Sequence, residues 1–280
     1  MSVELPEAHI LAKQMDEELR QKQIRSYQLQ DHERLQKLGF MNKDEKLFER
    51  LVKGRIVSVW SRGNVIHLKL DTEANLILAP EYGGRVLYHK AGEEVPSYHL
   101  KLDFSDGSAL TVRLTGIGVI QVMNDNELDK SYVYKRDFLG EALSPTDEKG
   151  FTFDRFSQRL SDNGNMMKTV LVGKDAVVVG LGNAAFQDIM FRTKIHPKRK
   201  ASSLSHHEMQ SLYDSIKLLV QERIRLGGKG QFTDLYGKLG CYKAAMGPNF
   251  KDKACPRCGT RIEKMSLGGG VTYFCPKCQA

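Results

Sequence analysis

Hydrophobic positions near the start of the chain recur at helical spacing. Ile10, Leu11, Met15 and Leu19 share one face while charged residues occupy the other, which predicts a helix over 7–23, with Pro6 and Glu7 suited to its first turn. From about Gly54 the period changes to that of short strands. Residues 55–60, 65–70, 76–79, 85–89, 98–104, 109–114 and 119–122 read as strands separated by turn signals such as Arg62-Gly63-Asn64, Gly83-Gly84 and Asp106-Gly107. So many short strands in so little chain predict a β-sandwich.

The pattern then returns to helical spacing. Residues 153–160 and 166–171 read as helices. Val177-Val178-Val179 runs into the glycine turn Gly180-Leu181-Gly182-Asn183, and a further helix follows through Phe191. A long amphipathic helix is expected over 205–225, with Met209, Leu212, Ile216, Leu219 and Ile224 inward and Ser205 paired with Glu208 as a capping box. Residues 140–149 read as the linker. Near the C-terminus, Gly268-Gly269-Gly270 between two short segments is how a two-stranded ribbon is written.

Cysteine spacing adds chemistry to that ribbon. Cys255-x-x-Cys258 and Cys275-x-x-Cys278 stand sixteen residues apart, so each pair offers two thiolates from one tight turn and the four satisfy tetrahedral zinc. One structural Zn2+ is therefore the expected cofactor, in preference to two disulfides or a redox pair. Cys241 is left over, and the pattern fits a reducing, cytoplasmic setting.

The chain has 280 residues, 41% hydrophobic and 27% charged, enough for two cored domains. No apolar run of about eighteen residues occurs, so no membrane partner is expected. The net charge of +8 is unevenly placed: from Arg192 onward 17 Lys and Arg face 6 Asp and Glu. That asymmetry alone fits a basic solvated surface as well as one that meets a polyanion; combined with the run Lys198, Arg199, Lys200 and the terminal zinc ribbon it favours DNA contact, with those three as candidates. Gly180-Leu181-Gly182-Asn183 reads alone as a packing turn, and in this basic context as a turn that offers backbone N–H groups to a phosphate.

The ordered set Glu4-Leu5-Pro6-Glu7, Gly180-Leu181-Gly182-Asn183, Phe191-Arg192 with Ile195-His196-Pro197, and the two cysteine knuckles resembles the formamidopyrimidine-DNA glycosylase / endonuclease VIII family, over essentially the whole chain. The resemblance implies an α+β multidomain fold. It comprises an N-terminal β-sandwich with a leading helix (1–139), a helix–two-turn–helix bundle (150–250) and a four-cysteine zinc ribbon (251–280). It implies a monomeric, nucleoid-associated partner of double-stranded DNA, damaged or abasic, held between the domains with the damaged nucleotide flipped out. It also implies that an N-terminal amine attacks the sugar C1′ to form an imine while a glutamate acts as acid or base.

Carried onto this sequence, Glu4 matches the catalytic glutamate and Glu7 the second acid. Lys168 and Asn183 match phosphate-holding residues, and Arg62-Gly63 matches a DNA-presenting turn. The departures are as specific. The chain begins Met1-Ser2-Val3-Glu4, so the amine is that of Ser2, or of Val3 after trimming, where the family has proline. Asn64 replaces the presented lysine, and Tyr82, Thr115 and Ile117 replace the residues that fill the gap left by a flipped base. Ser97 replaces a DNA-contacting histidine, and Gly270 replaces the ribbon arginine. Two expectations follow: a divergent glycosylase and abasic-site lyase, or a catalytically silent DNA-binding relative.

Overall fold

The computed structural model describes Val3 through Gln279; Ser2, and with it the expected Ser2 amine, lies outside the described residues. The chain divides into two compact units, one running to Gly140 and including Leu226–Cys241, the other comprising Glu141–Arg225 and Tyr242 onward. Residues 226–241, placed by the sequence within the helical domain, thus cluster with the first unit.

The first unit is a β-sandwich with a leading helix. Helix α1 (Leu5–Leu19) carries Pro6 in its first turn and buries Leu5, Ile10, Leu11, Met15 and Leu19. It ends four residues earlier than its periodicity suggests, because Gln21 takes a left-handed conformation (φ +68) and donates its backbone N–H to Ile56 at 2.8 Å. Strand β1 (Ile24–Leu29) and helix α2 (His32–Lys37) follow.

Strands β2 (Ile56–Arg62), β3 (Val65–Leu70), β4 (Ala74–Ala79), β5 (Arg85–His89), β6 (Leu100–Phe104), β7 (Ala109–Arg113) and β8 (Val119–Asn124) complete two antiparallel sheets. Their orders are β1-β6-β7-β5 and β2-β3-β4-β8. Helix α3 (Tyr132–Tyr134) runs into a wider turn at Lys135–Leu139. Central strands β3 and β4 are buried almost throughout, whereas edge strand β1 fully buries only Ile24.

The second unit holds helices α4 (Phe153–Ser161), α5 (Met167–Leu171), α6 (Asn183–Thr193) and α7 (His206–Arg225), then the ribbon strands β9 (Glu263–Leu267) and β10 (Gly270–Phe274). The chain at 140–149 is not loose: Leu143 is buried and exchanges backbone hydrogen bonds with Val177 and Val179. Helix α7 has the capping box expected, Glu208 N–H donating to Ser205 Oγ and Ser205 N–H to the Glu208 carboxylate. It buries Leu212, Ile216 and Leu219 as its pattern requires, but Met209 and Ile224 are half-buried, and Arg223 is buried in their stead. Gly180 occupies the left-handed region (φ +72) in the turn before α6, a conformation that glycine adopts without strain. No described helix is long and apolar enough to cross a membrane.

Candidate functional site

In the first unit the N-terminal segment is fixed by its own acids. Glu4 is the residue before α1, and it forms a capping box with Glu7: each carboxylate accepts a backbone N–H of the other residue. The helix start thus holds two buried carboxylates, where its backbone donors favour negative charge. Glu7, fully buried, accepts from Glu4 N–H at 3.2 Å and also from the backbone N–H of Lys229 at 3.2 Å. Val3 is buried and donates its backbone N–H to the Glu81 carbonyl at 3.0 Å.

Lys229 belongs to the 226–241 segment, whose ends are joined by Cys241 N–H donating to Leu226 O at 2.9 Å. Gln14 grips the segment twice, donating to the Asp234 carboxylate at 2.9 Å and accepting from Leu235 N–H at 3.0 Å. Tyr88 N–H adds a bond to Leu235 O at 2.9 Å. A pocket of about 490 Å³ opens beside Val3, walled also by Gly83, Ser97, Thr111, Phe232 and Leu239 among others. Its size suits a small ligand or a single nucleotide unit. Ser97, expected as a replacement for a contacting histidine, therefore lines a cavity.

The Arg62-Gly63-Asn64 turn is a two-residue hairpin with Gly63 at φ +59. Asn64 is held on three sides: its N–H donates to Asp137 at 3.1 Å, its amide donates to Glu81 at 3.2 Å, and its carbonyl accepts from Arg136. Arg136 also pairs with Glu81 at 3.0 Å and with buried Asp137. Burial pushes the Asp137 carboxyl up despite Arg136, whose guanidinium is held firmly protonated. Arg62 donates to the Asp137 carbonyl at 2.6 Å. Sequence reasoning missed Glu81, Arg136 and Asp137, because nothing in their spacing links them to the turn.

Tyr82 and Ile117 come together on neighbouring turns. Tyr82 N–H donates to Ile117 O at 2.8 Å and Thr115 Oγ1 to Tyr82 O at 3.3 Å. Both larger side chains point outward, Tyr82 54% and Ile117 56% exposed.

In the second unit Lys168, Asn183 and Gly270 converge. The Lys168 ammonium donates to Asn183 Oδ1 and lies 4.6 Å from the centre of the Phe186 ring. Asn183, first residue of α6, donates through Nδ2 to Val271 O of β10 at 2.8 Å. Gln187 Oε1, one turn on, accepts from Tyr273 N–H at 2.8 Å, so α6 fixes the ribbon strand along its length. The helix start and a lysine together favour an anion. Of the basic loop, Lys198 and Lys200 are exposed, whereas Arg199 is committed to Glu208 at 2.9 Å and to Ser203 O at 2.8 Å. Arg199 therefore braces the start of α7.

The ribbon ends hold the four Sγ atoms of Cys255, Cys258, Cys275 and Cys278 within 4.8 Å of one another. Cys255–Cys278 and Cys258–Cys275 are 3.9 and 3.5 Å apart, too long for disulfides. They match the roughly 3.8 Å edge of a tetrahedron with Zn–S bonds of about 2.3 Å. The donor set fits one structural zinc. Phe191, Met246 and Ile262 pack around it, and Cys241 is exposed outside the cluster.

Three family models match the chain in order: the formamidopyrimidine-DNA glycosylase N-terminal domain over 3–115, the formamidopyrimidine-DNA glycosylase H2TH domain over 142–234, and the zinc finger found in FPG and IleRS over 252–280. A formamidopyrimidine-DNA glycosylase of Cytobacillus firmus is 30% identical over 240 residues, 83% of this chain and 84% of that relative. One from Bacillus cereus (strain ATCC 10987 / NRS 248) is 27% identical over 241 residues, 84% of this chain and 85% of the relative. Among solved structures, Lactococcus lactis Fpg in complex with abasic-site DNA superposes with a TM-score of 0.83 at 24% identity, covering 99% of each chain. The same enzyme with N7-benzyl-Fapy-dG DNA gives 0.84 at 22%, again over 99% of each.

Proposed function

Because the chain belongs to the formamidopyrimidine-DNA glycosylase / endonuclease VIII family, we propose that it binds abasic or base-damaged duplex DNA with a reduced catalytic set. The observation that carries this reading is the convergence of Lys168, Asn183 and the tip of the zinc ribbon at the start of α6. Lys168 supplies charge and the helix its backbone donors, the combination that holds a DNA phosphate, while the Asn183 amide ties both to the ribbon. Exposed Lys198 and Lys200 add sequence-independent attraction. Tyr82 and Ile117 offer the apolar surface that fills a gap in the base stack.

The strand-cleaving chemistry rests on the N-terminal amine of Ser2, or of Val3 after trimming. An α-amine with a pKa near 8 is partly neutral at physiological pH. Its lone pair attacks C1′ of an abasic sugar, water departs, and the protonated imine lets the 3′-phosphate leave once a C2′ proton is removed. Glu4, buried at the start of α1, is the acid that this reading assigns to exchange protons with the sugar oxygen. Glu7 holds the 226–241 segment, which gives Phe232 to the pocket wall, through the Lys229 backbone N–H.

A second reading, a silent DNA-binding relative, is favoured by the state of Asn64. Its amide is already engaged by Glu81 and Arg136, and it brings no cation to DNA. Removal of a preorganised donor costs about 3–4 kcal/mol of transition-state stabilisation. Borohydride trapping on abasic-site duplex separates the two. A covalent adduct through the mature N-terminus supports the lyase. Tight binding without an adduct supports the silent relative, and no binding at low salt removes both.

A further inference from the structure

The pocket beside Val3 carries a feature that the DNA-binding reading does not use. Strands β5 and β7 pair antiparallel with Arg85 directly opposite Arg113, and both residues line the pocket. Directly opposed like charges destabilise a sheet, since their Cβ atoms stand only about 5 Å apart. Among the described residues neither arginine has an ion pair, and no Asp or Glu lines the cavity. The remaining polar lining consists of four hydroxyls and one amide: Ser97, Thr111, Thr115, Thr233 and Gln231. Thr111 Oγ1 is held by His89 Nε2 at 2.8 Å, which fixes that wall.

We propose that Arg85 and Arg113 form an oxyanion clamp in this pocket, taking a phosphate group that neutralises both guanidiniums. Two adjacent planar forks match the tetrahedral oxygens of a phosphate, and nearby hydroxyls complete its hydrogen bonds. The cost of the opposed charges in the empty sheet is offset when the anion binds, the signature of a residue pair kept for a ligand. As a DNA contact, the clamp rests on the proposed function and gives the first unit a cationic grip where Asn64 brings none. The same chemistry admits a phosphodiester of the DNA strand or a phosphomonoester of a single nucleotide.

The test uses the full-length zinc-bearing protein with Arg85→Gln, Arg113→Gln, the double variant and Arg113→Lys. One arm measures affinity for a duplex bearing a tetrahydrofuran abasic analogue across a salt series. The other measures the thermal shift produced by thymidine 5′-monophosphate, with thymidine as control. If the clamp holds a phosphodiester, the double variant lowers the salt slope by about 1–2 and Arg113→Lys retains most of it. If it holds a phosphomonoester, the monophosphate stabilises the wild type, thymidine does not, and Arg113→Gln abolishes the shift. In either case ligand-free Arg113→Gln melts at or slightly above the wild-type temperature, because the opposed charges are relieved; this separates lost binding from lost folding. An unchanged salt slope together with no phosphate-dependent shift overturns the clamp. A wild type that binds no duplex defeats the proposed function, and the monophosphate arm then decides the clamp alone.

Discussion

Gly270 lies against Asn183: a Cβ placed on the glycine would stand 3.5 Å from the Asn183 amide nitrogen, an ordinary van der Waals separation. Gly270 is also absent from the glycines with left-handed backbone, so a side chain fits there without strain. The place where the family resemblance expects an arginine is therefore structurally open to one. Gly270→Arg should fold normally, tighten binding to abasic-analogue duplex several-fold and steepen the salt slope by about 1. Unchanged affinity would show that the ribbon tip does not meet the phosphates.

The zinc site is expected to hold that tip in place. Cys275→Ser removes a fully buried thiolate from a four-sulfur set. Bound zinc should fall from about one per chain toward none, and the β9–β10 amides should lose exchange protection. DNA affinity should fall with them, since Asn183 and Gln187 take their partners from β10. Metal analysis and hydrogen exchange check both parts.

Glu7 ties the helix start to a segment far along the chain. Glu7→Ala leaves the backbone N–H groups of Glu4 and Lys229 without their acceptor and should cost about 2–3 kcal/mol. The 226–241 segment should then exchange and proteolyse faster than the rest of its unit. Equal protection in the variant would contradict the tether.

Tyr82→Ala should weaken binding to a duplex with an abasic gap by about tenfold, because a stacking aromatic contributes about 1–3 kcal/mol. Binding to an intact duplex should change far less. Parallel titrations of the two duplexes report the difference directly.

The pH dependence at acid has an assignable source. Asp106 accepts from Lys22 at 2.5 Å and from the Ser108 hydroxyl and N–H, which hold its pKa down at about 2 from 3.8. A depressed carboxylate pKa stabilises the fold above the ordinary value, and that stability is lost as pH falls through the folded value. Asp106→Asn should therefore lower the melting temperature at neutral pH, with the deficit closing between about pH 4 and 2. The effect is modest because Asp106 is half-exposed. A chemical-shift titration of the carboxyl carbon reads the pKa itself.

Legibility in the sequence followed burial. Strands β3 and β4, apolar and central, were evident from their pattern, and so were α7 with its capping box and the four cysteines. Strand β1 escaped because an edge strand needs only Ile24 inside and can be polar elsewhere. Within the candidate site, the family resemblance singles out Glu4 and Glu7, which are also near neighbours in sequence. The site was hidden where contact spans long separations: Asn64 with Arg136 and Asp137, Glu7 with Lys229, Arg85 opposite Arg113. No local period encodes such pairings; they arise only when the sheets and the 226–241 segment assemble. Arg199 shows the converse, since its basic run suggests a contact surface while its guanidinium is committed to Glu208.

The most direct test of the central claim is the affinity of the zinc-bearing protein for abasic-analogue duplex relative to the matched intact duplex, in wild type and Asn183→Ala, across salt. Recognition of damaged DNA predicts at least about tenfold tighter binding to the abasic duplex, a steep loss with salt, and clear weakening in Asn183→Ala. Equal affinity for the two duplexes, or binding indifferent to Asn183, would contradict it.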